Sequence, residues 1–210
     1  MALRVPRNPY PPWELARFVA RMVVGPSPRP PLLDDTLTLV DGVSPTRRVA
    51  FVGDVMPLMW RTGRFDAAVV EALAGCDAVV GNLEGILTEQ RWLPFLQKHT
   101  PAIFDVLATA APAARWVLGV ANNHAPDYGP ADFQRTLDAI DAAGMRWFGT
   151  VRRPRVRVAP GLAVTAWTRW TNGTAPMVPR INPGPGRADV EVAYIHWGHE
   201  FERQPRPNQR

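Results

Sequence analysis

The chain of 210 residues has room for one globular domain and a short appendage, and its 46% hydrophobic and 20% charged residues exclude a disordered polymer. The single cysteine, Cys76, excludes an internal disulfide and a Cys-based zinc cage, so a metal would need His, Asn and carboxylate ligands. The net charge of +5 rests on arginine, with Lys98 the only lysine, and would draw polyanions without selecting one.

Residues 1–47 read as an appendage. From Trp13 to Val24 the apolar residues Trp13, Leu15, Phe18, Val19, Met22 and Val23 recur at helical spacing, with Arg17 and Arg21 on the other side. Such a helix is expected to dock on the domain surface or to touch a membrane peripherally. Residues 26–31, Pro-Ser-Pro-Arg-Pro-Pro, form a stiff linker. No run of about 18 apolar residues occurs. Pro6, Pro9, Pro11 and Pro12 stand where a signal peptide would carry its apolar segment. The expected location is therefore cytoplasmic or peripheral to a membrane.

The domain proper is expected over 48–210. Val49–Val52 is a short apolar run of the kind buried on both faces. A helix over Phe65–Ala74 and a strand at Ala78–Val80 follow, then a helix over Phe104–Ala110 and a strand at Trp116–Val120. The pattern predicts a helix at Pro130–Ala143, started by Pro130 and closed by Gly144. Further strands are expected at Arg146–Phe148, Leu162–Trp167 and Val190–Ile195. Arg152, Arg153, Arg155 and Arg157 read as a solvated edge or loop, and no nucleic-acid partner is expected. Residues 171–188 read as a long loop. Alternating strands and helices imply an α/β domain with a largely parallel sheet.

Chemistry gathers where the strands end. Gly53-Asp54 follows the first, Gly81-Asn82-Leu83-Glu84-Gly85 the second, Ala121-Asn122-Asn123-His124 the third and His196-Trp197-Gly198-His199-Glu200 the last. Parallel strands bring such ends to one edge, where open α/β folds bind ligands. Two carboxylates brought together there need a cation or a proton between them. Carboxylate, amide oxygen and imidazole suit manganese, iron or zinc. A pair of such ions about 4 Å apart can activate water and stabilise charge on a phosphoryl group. His99, outside this pattern, reads as a loop histidine. No glycine-rich phosphate loop follows any strand, which excludes a Rossmann-like nucleotide binder.

At Gly53-Asp54-Val55-Met56, Asn82-Leu83-Glu84-Gly85, Ala121-Asn122-Asn123-His124 with Asp127-Tyr128-Gly129, and His196-Trp197-Gly198 with Glu200, the chain resembles the CapA family of poly-gamma-glutamate capsule synthesis proteins. The resemblance implies a four-layer α/β/β/α sandwich of the metallophosphatase type. It implies Asp54, Asn82, Glu84, Asn123 and His196 as metal ligands and His124 as the acid that protonates a leaving oxygen. His199 and Glu200 would orient His196. It implies two divalent ions in the complete protein, and a phosphoester or capsule polymer as substrate. The wider superfamily carries a histidine where this chain has Met56, which alters one metal position. Family members continue with a helix, a strand and a His-containing loop, so the sequence is expected to be the N-terminal portion of a longer protein or an inactive truncated copy. The function implied is metal-dependent hydrolysis. The alternative is a non-catalytic part of a membrane-associated polyglutamate synthesis or export assembly, alongside synthase subunits.

Overall fold

The computed structural model describes residues 44–58, 63–184 and 186–197, together with Trp13, Ala16, Val19, Ala20, Val24 and Gly42. The chain divides into two compact units, one of Arg47–His196 and one of Met1–Thr46 with Trp197–Arg210. In the second of these, Trp13, Ala16, Val19, Ala20 and Val24 are helical and exposed. The rest of the expected Trp13–Val24 helix and the 26–31 linker lie outside the described residues. No helix among the described residues is long and apolar enough to cross a membrane.

The Arg47–His196 unit is built on two larger sheets and a two-stranded one. The first contains β1 (Val49–Val55), β2 (Ala78–Leu83), β5 (Trp116–Gly119) and β6 (Arg146–Phe148), all parallel and in that order. Between them run α1 (Ala67–Ala74), α2 (Ala102–Ala110) and α3 (Pro130–Ala142). The strand order advances without reversal. Right-handed crossovers then place every helix on the same face of the sheet. Side chains confirm it: the Trp116 indole donates to the Leu107 carbonyl of α2, and the Trp147 indole to Asp141 of α3.

The opposite face is left for the second sheet: β7 (Arg155–Ala159), β8 (Leu162–Thr168) and β9 (Val190–His196) in that order. Alternation along the strands puts Phe51, Val80, Asn82, Val117, Gly119 and Phe148 on this face. Tyr194 of β9 packs against Phe51 and Phe148, with ring centroids 6.2 and 6.3 Å away. Helices, sheet and sheet are thus three layers of the expected sandwich. The described residues of this unit include no helix beyond those three and one short 3-10 turn at Ala113–Arg115.

Two differences from the sequence reading have physical causes. The arginine segment is an edge strand, β7, whose alternation buries Val156 and Val158 while Arg157 stays exposed. Arg153 stacks 4.8 Å from the Trp147 ring and Arg155 pairs with Glu191, so two of its arginines serve packing. His99 is not a loop residue. It lies in β4 (Lys98–His99), which pairs with β3 (Ile86–Leu87), and it is 1% exposed.

Candidate functional site

Asp54 reaches the site through an irregularity. Phe51 pairs with Val80, yet Asp54 pairs with Asn82, so three steps on β1 match two on β2. This is a β-bulge, which re-aims the side chains beyond it. Without the extra residue Asp54 would face the helices. With it, Asp54 joins Asn82 on the face toward the second sheet, and the Asn82 Nδ2 donates to its Oδ1 at 2.7 Å. The Val52 carbonyl within the bulge accepts the Tyr194 hydroxyl at 2.6 Å, a bond across the two sheets. Burial, and secondarily the nearby Asp54 charge, push the Tyr194 pKa up, which keeps that hydroxyl a donor.

Asn82 and Glu84 share a face because strand side chains alternate. Glu84 is 4% exposed and its backbone is held by two contacts, its own N–H on the Val55 carbonyl and its carbonyl at 3.0 Å from His99 Nε2. Gly85 turns the chain at φ +128°, a conformation that disfavours any side chain.

The Asn-Asn-His run divides its labour. Asn122 is a brace: its amide donates to the Leu83 carbonyl at 2.8 Å and to Asn82 Oδ1 at 3.2 Å, while its own oxygen accepts the His124 N–H. Asn123 presents Oδ1 at 2.7 Å from His196 Nε2. His124 places Nδ1 at 2.7 Å from Asp127 Oδ2 and Nε2 at 3.6 Å from Glu84 Oε1. Tyr128, at φ +63°, and Gly129 turn the chain from this run into α3, and strain of this kind concentrates at functional segments.

His196, the last residue of β9, comes to the cluster from the other sheet. Its Nδ1 lies 3.6 Å from Asp54 Oδ1 and 3.1 Å from Asn82 Nδ2, and its Nε2 lies 3.9 Å from Glu84 Oε1. Asp54, Glu84 and His196 each offer a ligand atom within 4.8 Å of the others. Burial pushes the Asp54 pKa up, but hydrogen bonds from His196 and Asn82, with the His196 charge, outweigh it and hold the carboxyl below its ordinary value. A cavity of about 160 Å³ opens beside the cluster, lined by Asp54, Asn82, Gly119, Tyr194 and His196 among others.

The residues fit a divalent cation. Two carboxylates, an imidazole and an amide oxygen are the donors such an ion accepts. A carboxylate as buried as Glu84 needs compensating charge. The His124 Nε2, facing it, has no hydrogen-bond partner among the described residues. Asn82 is the exception in its present orientation, because its oxygen accepts from Asn122 and its nitrogen faces Asp54 and His196. Turning the amide over would exchange that donor for a ligand oxygen. Met56 lies just beyond β1 and is exposed. His199 and Glu200 lie outside the described residues.

Sequence reasoning assigned no role to Asp127, Tyr194, Asn172 or the buried His99. Tyr194 carried a signal, since it precedes His196 by two residues on the same face of a strand. Asp127 carried one too, three residues after His124, whereas Asn172 and His99 depend on chain crossings that no local pattern encodes.

With this geometry in place, comparison with known proteins is informative. The sequence model of the bacterial capsule synthesis protein family PGA_cap matches residues 48–169, and the chain belongs to that family. It is 27% identical over 168 residues to a capsule biosynthesis protein CapA of Bacillus anthracis, covering 65% of this chain and 41% of that protein. It is 25% identical over 200 residues to a PGA biosynthesis protein CapA of Bacillus subtilis (strain 168), covering 77% of this chain and 51% of that protein. The chain thus spans about half, or less, of the length of these curated relatives. The family match contains Asp54, Asn82, Glu84, Asn123 and His124 and ends before Asn172 and His196.

Proposed function

We propose that Asp54, Glu84, Asn123 and His196 hold a divalent transition metal, and that the protein hydrolyses a phosphoester, or a bond of the capsule polymer, in poly-gamma-glutamate biosynthesis. The observation that carries this reading is the convergence of two carboxylates and an imidazole, from β1, the residue after β2 and the end of β9, to within 4.8 Å. Hydrophobic packing alone gives no reason to collect those groups.

A metal bound there would supply a Lewis acid and lower the pKa of a coordinated water. The protein's own groups supply the rest. Asp54 is ionised at neutral pH, as a ligand must be. His196 offers Nε2 to the Glu84 and Asn123 side, while its Nδ1 is oriented by Asp54. His124, backed by Asp127, presents Nε2 toward the cluster as a proton donor for a leaving oxygen. The relatives' names, capsule biosynthesis and PGA biosynthesis, support the assignment to capsule polymer metabolism.

The test is metal content and turnover together. The purified chain, incubated with Mn²⁺ or Zn²⁺ and desalted, is expected to keep close to stoichiometric metal and to hydrolyse an aryl phosphodiester. Asp54→Asn should lose most of both. A wild-type chain that folds but retains no metal would overturn the reading.

A second reading, a non-catalytic part of a polyglutamate synthesis or export assembly with synthase subunits, is favoured by Met56 standing where the superfamily has a histidine. It predicts that cells carrying Asp54→Asn in the full-length protein still make polymer.

A further inference from the structure

We propose that Asn172 is a positioning residue for the proton-transfer step of His124, an inference that rests on the hydrolase reading. Asn172 sits in the segment between β8 and β9 and is half-buried. Its backbone N–H donates to the Asn123 carbonyl at 2.9 Å. Its side-chain Nδ2 lies 2.9 Å from His124 Nδ1 and 3.3 Å from Asp127 Oδ1. One residue of a Pro/Gly-rich loop thus touches the metal-ligand candidate, the proton donor and the carboxylate behind it.

The protons around Asp127 define the role of Asn172 there. Asp127 is 1% exposed, and a carboxylate only accepts. Its Oδ2 takes the Gln97 N–H at 2.8 Å and faces His124 Nδ1 at 2.7 Å, so Nδ1 carries the hydrogen. Asn172 Nδ2 cannot donate to a protonated Nδ1. Its hydrogen bond therefore goes to Asp127 Oδ1, the oxygen for which no other donor is seen among these contacts. With both oxygens engaged, Asp127 is held in one orientation, and His124 is locked as the Nδ1–H tautomer. Nε2 is then the end left to carry the exchangeable proton, 3.6 Å from Glu84. The backbone bond to Asn123 ties the same loop to the turn that presents Nε2.

In the step concerned, a water oxygen bonds to phosphorus and releases its proton to solvent. The bond from phosphorus to the leaving oxygen breaks, and that oxygen takes the Nε2 proton of the doubly protonated His124 ring, which is left as the Nδ1–H tautomer. A residue that positions His124 should matter most when the leaving oxygen is basic, whereas a merely structural residue should slow all substrates alike.

The experiment uses the full chain loaded with Mn²⁺ and two probes, a p-nitrophenyl phosphodiester, whose leaving group needs little protonation, and the corresponding phenyl diester. Asn172→Ala is expected to lower kcat on the phenyl ester about 10-fold or more and on the p-nitrophenyl ester about 2-fold or less, with KM and bound metal unchanged. An equal loss on both esters, or no loss, overturns the proposal. The His124 tautomer, read from ring ¹⁵N shifts, is measured on the same proteins without reference to turnover. It should be the Nδ1–H form in the wild type and a mixture in the variant. If the wild type hydrolyses neither ester, the hydrolase reading fails, and an unchanged tautomer in the variant would then overturn the positioning role by itself. Asn172→Ser, small and polar but too short to reach Asp127, replaces the alanine variant should that fail to fold.

Discussion

Glu84 is flanked by two buried histidines, and the regions around them use the same side chain in opposite ways. His124, 4% exposed, faces the Glu84 carboxylate and has Asp127 behind it. His99, 1% exposed, lies against the Glu84 backbone carbonyl and has no charged group among its hydrogen-bond partners in the described residues. Burial alone drives the His99 pKa down, to about 4, only partly opposed by its bond to Glu84. Around His124 a carboxylate stands on either side, Asp127 and Glu84, and His99 is paired with none among the described residues. What separates the two buried rings is the carboxylates within reach of one of them.

The sharpest way to break this contrast is to remove the ring that is meant to transfer a proton. His124→Ala should lower turnover by roughly 10² to 10⁴-fold while leaving bound metal and folding nearly intact. Turnover retained in that variant, with wild-type metal content, would reduce His124 to a structural residue like His99. Gly85→Ala attacks the ground between the two regions. Its φ of +128° is strained for alanine, and the added Cβ would lie 2.9 Å from Gln97 Cβ, 3.0 Å from His99 Cδ2 and 3.1 Å from the Gln97 carbonyl. A loss of roughly 1–3 kcal/mol is expected, or a Tm lower by about 5 °C, together with weaker metal binding because Glu84 moves. An unchanged Tm would show that the turn has more freedom than these contacts allow.

The two regions also differ in how far the sequence disclosed them. Asp54, Glu84, Asn123, His124 and His196 were legible because each follows or ends an apolar run, and such runs became strands, fully buried in β2 and β5 but only partly buried in β9 and in β1, which lies at the sheet edge rather than covered on both faces as expected. The helices of the first sheet were legible from their periodicity and from Pro130 and Gly144. The bulge that turns Asp54 inward was not, since a pairing register belongs to two strands at once. His99 was hidden because β3 and β4 have two residues each, too few to show a period. Asn172 and Asp127 meet across 45 residues of chain, and their types are ordinary for loops and turns. In β7 the alternation Arg155-Val156-Arg157-Val158 was a strand signal masked by its run of charge.

The smallest of the expected effects separates the regions by pH. At pH 7 His99→Leu should cost about 1 kcal/mol, the value of a lost hydrogen bond at the Glu84 carbonyl partly offset by better apolar packing. Below the ordinary histidine pKa of 6.5 the sign of the comparison changes. The unfolded chain takes up a proton at His99 as pH falls through 6.5, whereas the folded chain does not until about pH 4. The unfolded state therefore binds more protons across that window, and wild-type stability falls by about 1.4 kcal/mol per pH unit, with a ceiling of roughly 3 kcal/mol. His99→Leu removes this term, so its deficit should vanish roughly one pH unit below 6.5 and become an advantage near pH 5. Urea unfolding of both proteins between pH 4.5 and 7.5, with chelator present to keep metal binding out of the difference, reads the crossing directly. Parallel curves would mean that His99 accepts its proton inside the fold, which would place a compensating group beside it and make the two histidines more alike than their partners indicate.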